Sequence, residues 1–195
     1  MIVDDDDDFR ETLGDLFTSV GLPSMAFPST AALLKNGLPD KPSCMVLDLR
    51  MPGASGLDLQ ARLAEMGARV PVIFLTGYAD VPTTVRAMKA GALDFLPKPV
   101  REQELLDTVT DALRRDHERR CSEDADAEVR RLAQSLTPRE TDVLRGVSRG
   151  LLNKQIAFEL GITEITVKMH RSSAGRKLRS NSVADLIKKV ELLGL

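Results

Sequence analysis

Five polar residues stand where this sequence passes from an apolar run into a turn, and their types together suit one kind of chemistry. Asp4 and Asp5 follow Ile2 and Val3, Asp48 follows Met45, Val46 and Leu47, Thr76 follows the run VIFL, and Lys98 stands between Pro97 and Pro99 after DFLP. Adjacent carboxylates repel each other unless a cation is shared between them, and a hard divalent ion suits oxygen donors. A third carboxylate, a small hydroxyl and an ammonium group complete a set able to carry out metal-assisted phosphoryl transfer to an aspartate. Each residue alone has a plainer use: Asp48 as a turn cap, Thr76 as a turn residue, Lys98 as a solvated cation. Their joint occurrence at the ends of four separate runs favours the chemical reading.

Such residues need a sheet to bring them together. Short apolar runs at residues 2–3, 25–27, 45–48, 70–75 and 93–96 read as strands. Helical patterns at 9–20, 30–35, 57–66, 82–90 and 102–115 alternate with them. That alternation predicts an α/β fold with a parallel sheet covered on both faces, whose ligands bind in the crevice beyond the carboxyl ends of the strands. Asp6, Asp7 and Asp8 are placed as the N-cap and first-turn carboxylates of the first helix, facing the positive end of its dipole.

Composition sets the remaining bounds. A chain of 195 residues with 43% hydrophobic content has room for one large domain or two small ones. Two cysteines, Cys44 and Cys121, are too few and too differently placed for a disulfide framework, which fits a reducing cytoplasm. No apolar run approaches the roughly 18 residues of a membrane span, and the start MIVDDDDD lacks the basic flank and apolar core of a signal peptide. Charge is unevenly divided: from Thr137 onward 11 Lys or Arg face 6 Asp or Glu, a balance of +5, which leaves −7 for the remainder. An acidic module joined to one that meets a polyanion is the expected arrangement.

The segments VDDD (residues 3–6), VLDLRMPGASG (46–56), LTG (75–77) and FLPKP (95–99) resemble the receiver domain of bacterial two-component response regulators. The resemblance covers about the first 115 residues. It implies a flavodoxin-like, five-stranded parallel sheet in the order 2-1-3-4-5, with Asp48 as phosphoacceptor. It further implies Mg²⁺ (or Mn²⁺) held by Asp4, Asp5, Asp48 and the Arg50 backbone carbonyl, and phosphoryl oxygens contacted by Thr76 and Lys98. Phe95 falls at the family's aromatic switch, with plain core packing as the competing role. The output surface, through which many receivers dimerise, would be residues 82–90, 93–96 and 101–113. One departure is the short first strand, with only residues 1–3 ahead of the acidic run.

Residues 111–135 contain no Gly or Pro and are dominated by Arg, Glu, Asp and Ala, a composition that favours a long exposed helix continuing from the last receiver helix. A break around 121–126, or a disordered tether, is the alternative. Thr137 then opens a second module: TPRE offers an N-cap, Pro at the first helical position and Glu140 to complete a capping box. Helical patterns follow at 140–149, 154–160, 164–178 and 183–193, and NKQIAFELGITEITVKMHR has helix-turn-helix spacing. The expected organisation is a receiver at 1–115, a helical linker at 116–135 and an all-α helix-turn-helix domain at 136–195.

The longer string from Leu136 to Leu178 resembles the DNA-binding domain of the NarL/FixJ (LuxR-type) regulators. By that resemblance Lys168, Met169 and Ser172 face base edges. Thr166, His170, Arg171, Arg176, Lys177, Asn153 and Lys154 meet phosphates or groove walls, with packing as the other role for His170. Ala174 and Gly175 replace the family's larger aliphatic residues, so a loose or bent far end of the recognition helix is expected.

Together these readings describe a cytoplasmic, phosphorylation-controlled transcription regulator with no membrane association. A sensor histidine kinase supplies the phosphoryl group, and a homodimer formed on phosphorylation binds half-sites in double-stranded promoter DNA, with RNA polymerase as a further partner. No enzymatic activity is expected beyond self-phosphorylation and self-dephosphorylation at Asp48. An Mg²⁺-dependent phosphohydrolase would carry a second Asp two residues beyond its nucleophile, where this chain has Arg50. A phosphate-independent adaptor is disfavoured by the intact set of Asp5, Asp48, Thr76 and Lys98.

Overall fold

The structure, a computed structural model, describes residues 1–77 and 80–195, and the chain divides into two compact units, Met1–Arg120 and Cys121–Leu195. In the first unit, the strands β1 (Ile2–Val3), β2 (Ala26–Phe27), β3 (Met45–Asp48), β4 (Val72–Thr76) and β5 (Asp94–Pro97) form one sheet. All four pairings are parallel and the order is β2-β1-β3-β4-β5. Between the strands run α1 (Asp7–Ser19), α2 (Thr30–Asn36), α3 (Gly56–Glu65) and α4 (Val81–Lys89), and α5 (Glu102–Ala133) follows the sheet.

The strands are buried on both faces because successive side chains point to opposite sides. Val3, Met45, Leu47 and Phe74 pack with Leu33, Leu59, Leu63 and Ala87 from α2, α3 and α4. Their neighbours Ile2, Val46, Ile73 and Leu75 pack with Leu13, Phe17, Leu105, Val109 and Ala112 from α1 and α5. The first strand is as short as the sequence indicates, and it is nonetheless central, with β2 on one side and β3 on the other.

Local chemistry accounts for the helix starts. Asp6 caps α1 by accepting from the Phe9 N–H, with Asp7 and Asp8 in the first turn, as expected. Ser55 and Asp58 form a reciprocal capping box at α3, and Asp80 caps α4 through the Thr83 N–H. Helix α5 continues without a break through residues 121–126 and ends at Ala133. Its turn at Asp116–Arg120, assigned from sequence to the linker, is fastened to the first unit. The Asp116 carboxylate is buried, accepts from the Ser43 N–H at 3.0 Å and pairs with Arg119 at 2.5 Å and Arg120 at 3.0 Å. Arg120 also reaches Asp40 at 3.1 Å.

The second unit contains α6 (Pro138–Ser148), α7 (Asn153–Leu160), α8 (Glu164–Lys177) and α9 (Val183–Leu192). One core gathers Val143, Val147, Ile156, Ala157 and Val167, and another gathers Leu144, Ala174, Leu178, Leu186 and Val190. Short helices of this kind hold together only through such shared burial. Gly146 is required by close packing: a Cβ there would lie 2.7 Å from the Ile156 side chain.

Candidate functional site

At the carboxyl end of the sheet, four strands and the turns leaving them place the expected polar residues side by side. Asp4 follows β1 and is buried. The Asp6 N–H donates to its Oδ1 at 3.0 Å, and Arg10 donates to its carbonyl at 2.6 Å. Asp48 ends β3, buried, with the Leu49 N–H donating to its Oδ1 at 2.9 Å. Asp5 is exposed, and oxygens of Asp4, Asp5 and Asp48 lie within 4.8 Å of one another. An all-oxygen trio of carboxylates at this spacing fits a small hard divalent cation. Arg50, whose carbonyl is the further expected donor, is exposed in the loop after β3.

Lys98 supplies the positive charge. Its Nζ is 2.6 Å from Asp4 Oδ2 and 3.6 Å from Asp48 Oδ1, and it sits over the Phe9 ring at 4.0 Å from the centroid. The Lys98–Pro99 peptide is cis, and the Lys98 N–H donates to the Thr76 carbonyl at 2.7 Å, which ties the two loops together. Thr76 ends β4 in a fully buried position. Burial pushes the Asp48 carboxyl above the usual carboxylate range and Asp4 and Asp5 add to the rise, while Lys98 and the Leu49 N–H oppose it. The site thus concentrates negative charge and holds one ammonium group between two carboxylates.

Two features support this geometry without having been singled out from sequence. Phe9 read only as one apolar position of the first helix, yet its ring forms the floor under Lys98. Gly56 starts α3 against the end of β3: a Cβ there would lie 2.5 Å from the Asp48 carbonyl oxygen and 2.9 Å from the Phe74 ring. Phe95 is half-buried, its ring 6.2 Å from that of Phe74 at 43°, and it packs against the core cluster on the α2–α4 side of the sheet.

The second unit places the other expected residues on a helix-turn-helix. Helix α7 stops at Gly161, whose φ of 62° is the left-handed conformation that favours glycine, and Thr163 caps α8 by accepting from the Thr166 N–H. Lys168, Met169, Ser172 and Arg176 are exposed along α8, whereas Val167 and Ala174 face the core. Lys154 is exposed on α7; Asn153 is half-buried and its Oδ1 accepts from Arg171 at 3.3 Å, joining α7 to α8. The Thr166 hydroxyl shares a hydrogen bond with that of Thr163 at 2.9 Å, and His170 is half-buried.

Lys177, expected at phosphates or groove walls, is half-buried; its ammonium group lies 2.6 Å from Glu140 and donates to the Ser135 carbonyl at 2.9 Å. Contrary to expectation, the far end of α8 is not loose: Ala174 is fully buried and the helix continues through Gly175, around which a Cβ would meet nothing. Glu140, read as a capping-box residue, does accept from the Thr137 N–H, and it also accepts from Ser173 at 2.7 Å. It therefore pins the start of α6 to the last turns of α8. Although burial works against its ionisation, Lys177, the Thr137 N–H and Ser173 together hold the carboxyl down at about 2.

A parallel 2-1-3-4-5 sheet with this acidic crevice, followed by a helix-turn-helix unit, defines a class, and comparison with known proteins agrees. Residues 1–110 match the response regulator receiver domain and residues 134–190 match the bacterial regulatory proteins of the luxR family. The chain belongs to the two-component response regulators with a LuxR-type DNA-binding domain, and is accordingly a transcription regulator. It is 50% identical to nodulation protein W of Bradyrhizobium diazoefficiens over 195 residues, all of this chain and 86% of the relative. It is 41% identical to the transcriptional regulatory protein FixJ of Azorhizobium caulinodans over 194 residues, 100% of this chain and 92% of that protein. Among solved structures, that of the response regulator StyR is 46% identical with a TM-score of 0.84, covering 97% of this chain and 96% of the other. Among the described residues, no helix is long and apolar enough to cross a membrane.

Proposed function

We propose that this regulator is controlled by phosphorylation of Asp48 by a sensor histidine kinase in the cytoplasm, and that the phosphorylated form dimerises and binds paired promoter half-sites. The observation that carries this reading is the placement of Lys98 within 2.6 Å of Asp4 and 3.6 Å of Asp48, beside a trio of carboxylates. A carboxylate oxygen of Asp48 forms the new P–O bond as the P–N bond to the kinase imidazole breaks, and the leaving nitrogen keeps the electron pair and takes a proton. Asp4, Asp5, Asp48 and the Arg50 carbonyl are the donors that would hold Mg²⁺ or Mn²⁺; when bound, the ion neutralises charge that otherwise opposes attack of one anion on another. Lys98 and Thr76 meet the phosphoryl oxygens.

Drawing the Thr76 hydroxyl toward the phosphoryl group leaves room into which Phe95 moves, which shifts a population of receivers toward the dimerising form. Residues 1–115 act as the receiver, 116–135 as linker and 136–195 as the DNA reader. In the reader, Lys168, Met169 and Ser172 address base edges. Asn153, Lys154, Thr166, His170, Arg171 and Arg176 address phosphates and groove walls, which mainly sets affinity. RNA polymerase is the partner of the bound dimer.

The test is sedimentation and DNA binding of the full chain with and without acetyl phosphate and Mg²⁺, beside Asp48→Asn. Phosphodonor-driven dimerisation and tighter promoter binding in the parent alone supports the reading. Equal binding by both proteins under every condition removes Asp48 as the control point.

A further inference from the structure

The exposed face of α8 is partly apolar. Ile165 is 70% exposed and Met169 67% exposed, one helical turn apart, and Lys168 lies between them on the same side. Val167 and Ala174, on the opposite side, are completely buried, so the packing of the unit makes no use of the Ile165 side chain. A large β-branched residue left in water near the start of a helix gains nothing from folding. The same helix pair exposes three cations, Lys154, Lys168 and Arg176, together with Phe158. The exposed cations suit a polyanion.

We propose that Ile165 is a specificity-determining residue that reads the 5-methyl group of a thymine in the major groove, beside the base contacts of Lys168. The inference rests on the DNA-reading role assigned to α8 above. In the major groove thymine presents the one exposed methyl among the bases, and an aliphatic side chain is its natural complement. Ile165 precedes Lys168 by three residues and Ser172 by seven, spacings that keep all three on one helical face. Contact with a methyl needs no polar partner, so Ile165 adds base choice without adding salt dependence.

Preferred duplexes are selected from a random pool with the full phosphodonor-treated chain, and each thymine of the site is then replaced singly by deoxyuridine, which removes only the methyl. The parent is expected to lose about fourfold in affinity at one thymine per half-site, the equivalent of one buried methyl group. Ile165→Ala is expected to bind the thymine duplex about fourfold more weakly and to be indifferent to deoxyuridine at that position. Lys168→Ala, used as control, keeps the methyl sensitivity. The exposed position of Ile165 makes the variant's fold safe, and an unchanged melting curve checks it. If Ile165→Ala remains as sensitive to the missing methyl as the parent, Ile165 does not read it and the proposal fails alone. If selection returns no preferred sequence, the base-reading role of α8 fails together with it.

Discussion

The ammonium group of Lys98 lies 2.6 Å from the buried carboxylate of Asp4 and 3.6 Å from that of Asp48, and it sits over the Phe9 ring. Residues 94 positions apart in the chain thus share one charge balance. Lys98→Ala removes the ammonium group that lies between Asp4 and Asp48. Phosphorylation of this variant by acetyl phosphate is expected to slow on the order of 100-fold, the usual loss when one preorganised charge partner is removed. Mg²⁺ should raise the melting temperature of the variant more than that of the parent. Equal stabilisation of both by Mg²⁺ would mean that Lys98 and the ion do not compete for the same carboxylates.

Glu140 makes the stability of the second unit depend on acid. Its carboxyl is held at about 2, below its usual value of 4.5, by Lys177, the Thr137 N–H and Ser173. Because the folded value is the lower one, the stabilisation is present in full above about pH 4.5 and drains away as pH falls toward 2. Glu140→Gln is expected to lose about 2 kcal/mol at pH 7 and to show a flatter decline between pH 5 and pH 3. Denaturant unfolding at the two pH values measures both; parallel declines would sink the assignment.

Arg176 and Lys177 are neighbours with opposite fates. Arg176 is exposed, whereas Lys177 is paired with Glu140. Arg176→Ala should weaken binding to all duplexes and reduce the slope of log affinity against log salt by about 1, the signature of one lost phosphate contact. Lys177→Ala should leave that slope unchanged and lower the unfolding midpoint instead. Salt titrations of both variants on one duplex decide between them.

Asp116 fastens the turn beyond residue 115 to the first unit through Ser43, Arg119 and Arg120. Burial alone would raise its pKa, but these hydrogen bonds outweigh burial and hold it below the ordinary range. Asp116→Ala removes the acceptor of a buried N–H and of two guanidinium groups. A loss of about 2 to 3 kcal/mol on unfolding of the first unit is expected, with hydrogen exchange at Ser43 accelerated. Unchanged exchange at Ser43 would show that the loop stands without this anchor.

The strand and helix order, the capping of α1 and α6, and the helix-turn-helix were all legible in the chain, because each depends on local rules: side-chain periodicity, cap chemistry and the residue types that turns require. Strand ends were shifted by one or two residues, as at β4, expected over 70–75 and found at Val72–Thr76. The convergence of Asp4, Asp48, Thr76 and Lys98 could be anticipated only because parallel strands deliver all their carboxyl ends to one edge. Pairings that depend on which surfaces meet were not legible. Phe9 under Lys98, Glu140 against Ser173 and Lys177, and Asp116 with Ser43 each join residues that share no local pattern. Sequence spacing places a residue on a helix face, but the partner across the gap is chosen by packing of the whole unit. That is why Lys177, one position from an exposed arginine, pairs with a buried carboxylate.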